Sequence, residues 1–315
     1  MASPEPSPHA LSDPRQEADP ELGTAVVAPA EEAAAGGRRR RPLWQALARN
    51  PSISIGGTLL LVIILISAVW PFFTVDPRML NPMVRLKVPD PQFWFGTDNL
   101  GRDVFIRVVH GGRISLAVGF SVAVAATLIG LFIGLIAGYV RALDEVIMRV
   151  MDGLMAIPGI LLALALVALW GAGLVTVVLA ITIPEIPRVV RLVRSIVLSV
   201  REEPYVEAAL AAGTRLPLIL SRHVLPNTIP PLIVQATYNC ASAMLLEAIL
   251  GFLGAGIPPE IPSWGNIMAD GRVYFRLTPW VIFAPGAALA LTVLAVNLLG
   301  DGLRDTLDPK LAKQI

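Results

Sequence analysis

The chain has 315 residues, 55% of them hydrophobic and 16% charged, with a mean hydropathy of +0.67. A soluble globular domain does not carry that balance, so lipid is the expected solvent. The net charge of +1 gives no electrostatic case for nucleic acid, and the lone cysteine, Cys240, lies in an apolar run and excludes an intrachain disulfide.

Residues 1–37 are rich in Pro, Ala, Glu and Ser and lack periodic apolar positions. They cannot bury enough surface to offset the entropy of ordering, so a disordered tail is expected. The first apolar run begins near Ile53 and is already long enough to span a bilayer, which makes it a retained anchor rather than a cleaved signal. Further runs follow at 115–140, 151–170, 173–190, 229–251 and 281–300. With the first, at 53–73, they predict an all-α integral membrane protein with six transmembrane helices. Trp170, Gly171, Ala172 and Gly173 separate the third and fourth runs by no more than a turn, so those two form an antiparallel hairpin.

Basic residues set the orientation. Arg38 to Arg41 and Arg49 precede the first run, and Arg141 and Arg149 follow the second, which places both segments inside. Arg188, Arg191, Arg194, Arg201, Arg215 and Arg222 fall on the same side after an even number of crossings, and both termini are then cytoplasmic. The segment 74–113 opposes this rule, being external yet carrying Arg78, Arg85, Lys87, Arg102, Arg107 and Arg113. The chain accordingly divides into a cytoplasmic tail (1–50), a first helix with its external segment (51–112), a membrane core (113–303) and a cytoplasmic end (304–315). The sizeable connections are 74–113 and 252–280 outside and 195–227 inside.

The internal connection can be parsed by capping rules. Pro204 suits the first turn of a helix that runs through Tyr205 to Leu210 and stops at Gly213, which can adopt the left-handed conformation. Thr214 then caps a second short helix, with Pro217 in its opening turn, that reaches His223 before Pro226 breaks it. The small face of Ala208, Ala209, Ala211 and Ala212 admits close approach by another protein, with Tyr205 and Leu216 able to fill a groove. The alternative is a solvated connector.

Glu207-Ala208-Ala209, Gly213, and then His223, Leu225, Pro226 and Asn227 resemble the EAA loop of binding-protein-dependent ABC importer permeases. The resemblance implies that residues 204–227 form a coupling helix seated in a cytoplasmic ATPase, with Tyr205, Glu207, Ala208, Ala209 and Gly213 as contact and hinge positions and His223 and Pro226 framing the loop. Lys87, Lys310 and Lys313 follow Leu, Pro and Ala, so none completes the Gly-Lys-Ser/Thr of a phosphate-binding loop. The chain is therefore not expected to be an enzyme or to bind a cofactor itself. ATP and magnesium belong on separate ATPase subunits.

The likeness runs from about residue 42 onward and points to the dipeptide, oligopeptide and nickel branch of that family. FGTDNLGRDVFIRVVHGGRISLAVG is similar to that branch's external signature, with Gly96, Thr97, Asp98, Gly101, Arg102, Asp103, Arg113 and Ser115 in place and Phe95 where Leu is usual. The closing segments LGFLGAGIPPEIPSWGNIMADG and FAPGAALALTVLAVNLLGDGLRDTLDPK are similar to the same branch and suggest its C-type subunit, with Asp301 to Asp305 and Asp308 the most telling residues. This implies the type I importer permease fold in a bacterial inner membrane. The partners it implies are a homologous B-type permease, two ATPases, an extracytoplasmic solute-binding protein and membrane lipid. The cargo is short peptides, or alternatively nickel or another small solute.

Physical reading adds detail. Thr97 or Asp98 can cap a short external helix, and Asp103 and Arg107, four apart, can pair. Polar groups inside spans are costly unless they face protein or water, which makes Gln235, Asn239, Glu247 and Asn297 candidates for a translocation path. The first three fall near one stripe of the fifth run; interhelical hydrogen bonding is the alternative for the amides. Glu185, between Pro184 and Pro187, leads a row of Arg188, Arg191 and Arg194 that suits a helix end near the inner surface, where the arginines meet lipid phosphates or take part in gating. His9, His110 and His223 are too dispersed for a metal site, and no acid, nucleophile and base stand at a spacing that suits an intramembrane enzyme. A secondary transporter is the remaining rival class.

Overall fold

A computed structural model describes residues 50–307. The expected disordered tail, the basic cluster Arg38 to Arg41 with Arg49, and Asp308, Lys310 and Lys313 lie outside the described residues. The described chain is helical, with no named strand. The helices are α1 (Pro51–Val69), α2 (Val104–Tyr139), α3 (Arg141–Ala156), α4 (Gly159–Trp170), α5 (Leu174–Arg201), α6 (Pro204–Ala211), α7 (Leu216–Phe252), α8 (Trp264–Gly271) and α9 (Trp280–Leu307).

Local chemistry sets most boundaries. Asn50 caps α1 by accepting from Ser52 N at 3.0 Å, Pro51 occupies the first turn, and Pro71 closes the apolar run just beyond it. Asp103 opens α2 through bonds from the Phe105 and Ile106 N–H groups at 2.8 and 3.3 Å. Along α2, Gly130, Gly134 and Gly138 recur every four residues and meet Val189, Val193 and Val197 of α5. A Cβ added at those glycines would stand 2.5, 2.7 and 2.6 Å from the valine Cβ atoms. The absent side chains are what let the two backbones approach, the usual device where lipid offers no hydrophobic drive between helices.

Among the described residues, α1, α2, α7 and α9 are each long and apolar enough to cross a membrane, and α3 with α4 makes a fifth crossing if the pair is counted as one. The expected single helix at 151–170 is broken at Ile157–Pro158, where α3 and α4 meet at 89°. Proline at 158 disfavours helical backbone at Ile157, which is extended. The fourth apolar run lies within α5, which extends to Arg201 and carries Glu185, Arg188, Arg191 and Arg194 on the way. α4 and α5 form the expected hairpin across 171–173.

Asn50 Nδ2 donates to Gly302 O at 3.3 Å and to Thr306 Oγ1 at 3.4 Å, so α1 begins where α9 ends. A cavity of about 330 Å³ lined by Pro226, Pro230, Arg304 and Leu307 puts the start of α7 at this same end. At the opposite end the α1–α2 connection meets the α7–α9 connection: Arg78 Nε donates to Glu260 O at 2.8 Å, and Arg102 and Arg107 both reach Asp270. The bundle thus has two chemically distinct ends.

Candidate functional site

At the first end, α5 yields to α6 through Glu202 and Glu203. Pro204 starts α6 as expected, and Gly213 follows it at φ +77°. A Cβ at Gly213 would meet nothing within 4 Å, so backbone conformation rather than crowding favours glycine there. Of α6, Val206 alone is buried, joined to Val193, Val197, Val200, Ile219 and Val224 in one apolar cluster. Glu207, Ala208, Leu210, Ala211 and Gly213 are exposed, and Ala209 is half-buried. Tyr205 stacks near His223 with ring centroids 5.7 Å apart, while Asn227 Nδ2 donates to His223 O at 2.6 Å and to the Tyr205 hydroxyl at 3.4 Å. The element is a short helix seated on one valine and framed by a Tyr-His-Asn brace, its remaining face open.

Two expectations fail here. The second short helix does not end at Pro226, and Thr214 does not cap it. Arg215 is the N-cap, without a side-chain bond, and the helix runs on through Pro226, Pro230 and Pro231 to Phe252. A π turn at Leu220–Val224 precedes the first proline. Proline supplies no N–H and crowds the carbonyl four residues back, and a wider turn at that point accommodates both effects.

At the second end, Asp98 is 1% exposed and Arg107 1%. Arg102 Nε stands 2.6 Å from Asp98 Oδ2 and its Nη2 2.8 Å from Asp270 Oδ2; Arg107 Nη1 reaches the same two oxygens at 2.7 and 2.9 Å. Arg107 therefore pairs with Asp98 and Asp270, not with Asp103, whose oxygen is committed to the α2 N–H groups. Burial pushes the Asp103 carboxyl above its usual range, with the two backbone bonds opposing. No short helix starts at Thr97 or Asp98: the Thr97 hydroxyl donates to Val84 O at 2.5 Å and accepts from Lys87 N at 2.8 Å. Asp98 Oδ1 accepts from Leu100 N and Arg102 N at 2.8 and 2.9 Å. Gly96 and Gly101 have φ of +65° and +73°, and a Cβ at Gly101 would collide with the Asn81 carbonyl. A cavity of about 440 Å³ lies against this cluster, between Arg78, Leu80 and Leu100 on one side and Pro259, Glu260 and Pro262 on the other.

Inside the bundle the expected stripe separates. Glu247 is fully buried, its Oε2 accepting from Ser115 Oγ at 2.9 Å, and Ser115 Oγ in turn accepts from Trp264 N at 3.2 Å. This carboxylate joins α2, α7 and α8. Asn239 is 1% exposed and accepts from Gln235 Nε2 at 2.8 Å along the same helix, while Asn297 is half-buried on α9. Among the described residues, Asn239 Nδ2 and Glu247 Oε1 have no hydrogen-bond partner.

Glu185 lies near the middle of α5, not at a helix end, and is 2% exposed. It accepts from Arg188 Nη1 at 3.1 and 3.0 Å and from Ser242 Oγ of α7 at 3.0 Å. These residues border a cavity of about 460 Å³ at the α3–α4 elbow, with Met155, Ile157, Pro158, Pro184, Leu246 and Ile249 in its wall. Arg191 and Arg194 meet acids of another helix. Arg191 Nη2 bonds Asp152 at 2.5 Å, and Arg194 pairs with Asp144, which ties α5 to α3. Helix spacing showed that the three arginines share a face; it carried no signal for the acids across from two of them.

Residues 126–313 match the family described as binding-protein-dependent transport system inner membrane component. A probable peptide ABC transporter permease protein of Sinorhizobium fredii is 58% identical over 262 residues, covering 83% of this chain and 90% of that one. A dipeptide transport system permease protein of Alkalihalophilus pseudofirmus is 43% identical over 273 residues, covering 86% and 90%. A probable D,D-dipeptide transport system permease protein of Escherichia coli is 42% identical over 254 residues, covering 80% and 85%. Among solved structures, an inward-facing MetNI methionine ABC transporter aligns with a TM-score of 0.53 at 22% identity, covering 65% of this chain and 97% of that one, which is a likeness of fold.

Proposed function

Because this chain belongs to the binding-protein-dependent transport system inner membrane component family, we propose that it is the multi-pass permease subunit of an ATP-driven importer of short peptides. The observation that carries the reading is α6: a short helix with Glu207, Ala208 and Gly213 exposed, seated by buried Val206. A surface connector does not need an apolar seat and a side-chain brace; a docking element that transmits force does. In this reading the α6 end is cytoplasmic and α5 and the α3–α4 pair complete six crossings. Two ATPases, carrying ATP and magnesium, seat on α6 of this chain and on its counterpart in a B-type permease. A solute-binding protein delivers cargo at the opposite end, where Gly96, Thr97, Asp98, Gly101, Arg102 and Asp103 shape the receiving surface.

The cargoes named for the relatives favour peptide over the nickel alternative. Alternating access then follows from linkage: closure of the ATPases moves α6, and α6 is joined through Val206 to α5 and α7, the helices that border the elbow cavity. The test is purification from the native membrane followed by reconstitution. Two ATPases and a second permease should accompany the chain, and peptide uptake should need ATP. Uptake driven by an ion gradient, by the chain alone, overturns the reading.

A further inference from the structure

We infer that the elbow cavity is a peptide subsite in which the open edge of the Arg188 guanidinium takes the peptide's C-terminal carboxylate. This rests on the peptide reading above. The two oxygens of Glu185 are both held by a single nitrogen, Arg188 Nη1, and Ser242 adds a bond from the far side. Arg188 Nε and Nη2 make no hydrogen bond among the described residues. Glu185 thus fixes the guanidinium by one corner and leaves two parallel N–H groups, the fork that binds a carboxylate bidentately. The Arg188 side chain is 55% exposed and the Glu185 side chain 3%, so the anchor is buried and the receptor open.

Pairing argues for cargo over lipid. Arg188 is held at the cavity wall by a buried carboxylate of its own helix, within the apolar run at 173–190, and a cation within such a run faces protein or an aqueous route. Arg191 and Arg194, farther along α5, are matched by Asp152 and Asp144; among the described residues Arg188 pairs with no acid from another helix. The cavity, about 460 Å³, is within the range of small-molecule sites, and its wall of Pro158, Leu246 and Ile249 is apolar enough to accept varied side chains. A subsite of this kind reads the peptide backbone terminus and ignores sequence. Glu185 and Ser242 are positioning residues in this scheme, and Arg188 is the contact.

The experiment places p-benzoylphenylalanine at Ile249 in the complete complex and photolabels it with a radioactive dipeptide at concentrations that bypass delivery. Labelling by the free-acid dipeptide should exceed labelling by its C-terminal amide about tenfold or more, the value of a hydrogen-bonded charge. Arg188→Gln should erase that difference, Arg188→Lys should retain part of it, and Glu185→Gln should weaken it while the complex still assembles. Equal labelling by acid and amide overturns the inference, as does labelling of lipid in place of peptide. A complex that imports peptide yet never labels at Ile249 overturns this inference alone. A complex that hydrolyses ATP but imports no peptide overturns the peptide reading, and this inference with it.

Discussion

The two ends of the bundle are built on opposite principles. At one end, the 70–103 connection is pinned by charges: buried Asp98 and Arg107 share hydrogen bonds with the partly buried Arg102 and Asp270, and the backbone around them turns on glycines. At the other, α6 is held by one apolar side chain and one polar brace and leaves most of its surface bare. A network of buried charge fixes one geometry and tolerates little substitution. A lightly seated helix with an open face is suited to move as a unit and to be covered by another protein. In the reading proposed above, the difference separates a part that holds its shape from a part that is pushed.

This contrast can be broken in order of effect. Asp98→Ala leaves Arg102 and Arg107 short of a buried partner and should cost about 3–5 kcal/mol, read as loss of folded protein on thermal unfolding in detergent. Val206→Ala removes the buried part of the α6 seat and should cost about 1–3 kcal/mol, with uptake falling further than stability. Asp103→Ala removes the α2 cap and should cost about 1 kcal/mol; Asp103→Asn keeps the cap and sheds the buried charge, so it should cost less. Glu207→Ala should leave stability within about 0.5 kcal/mol, since Glu207 is exposed.

The smallest effect is a pH dependence. The Lys87 ion pair at 2.6 Å and the Phe93 N–H hold the half-buried Asp90 carboxyl below its usual range. A lowered folded pKa means that the stability it contributes is present above the ordinary value of 3.8 and is lost as pH falls through the folded one. Asp90→Asn should lower stability slightly at neutral pH and leave it unchanged in acid, so that the acid limb of the unfolding profile flattens.

How legible these parts were in the sequence follows the range of the interactions. Pro204 at the start of α6, the left-handed Gly213 and the opening of α1 beside its apolar run are local facts of capping and backbone freedom, and they hold. The α4–α5 hairpin holds for the same reason. What failed depends on residues far apart in the chain. Asp103 and Arg107 stand four apart, but Asp270 and the tight turn at Asp98 claim the arginine and the α2 N–H groups claim the aspartate. Pro226 reads as a breaker, yet a π turn and packing on α5 carry the helix through it. Glu247, Asn239 and Gln235 lie along α7 as their spacing implies, but the bonds that tie Glu247 to α2 and α8, and the cavity bordered by Glu185, Arg188 and Ser242, join residues far apart in the chain. The 89° kink at Ile157–Pro158 that shapes this cavity breaks the single helix expected at 151–170, where hydropathy alone ran on without a break.

The central claim is that this chain is driven by a separate motor through α6. A double change, Glu207→Ala with Gly213→Val, in the reconstituted complex tests it most directly. The account predicts unchanged amounts of the chain in the membrane and abolished ATP-dependent peptide uptake. Uptake at the parental rate would contradict it.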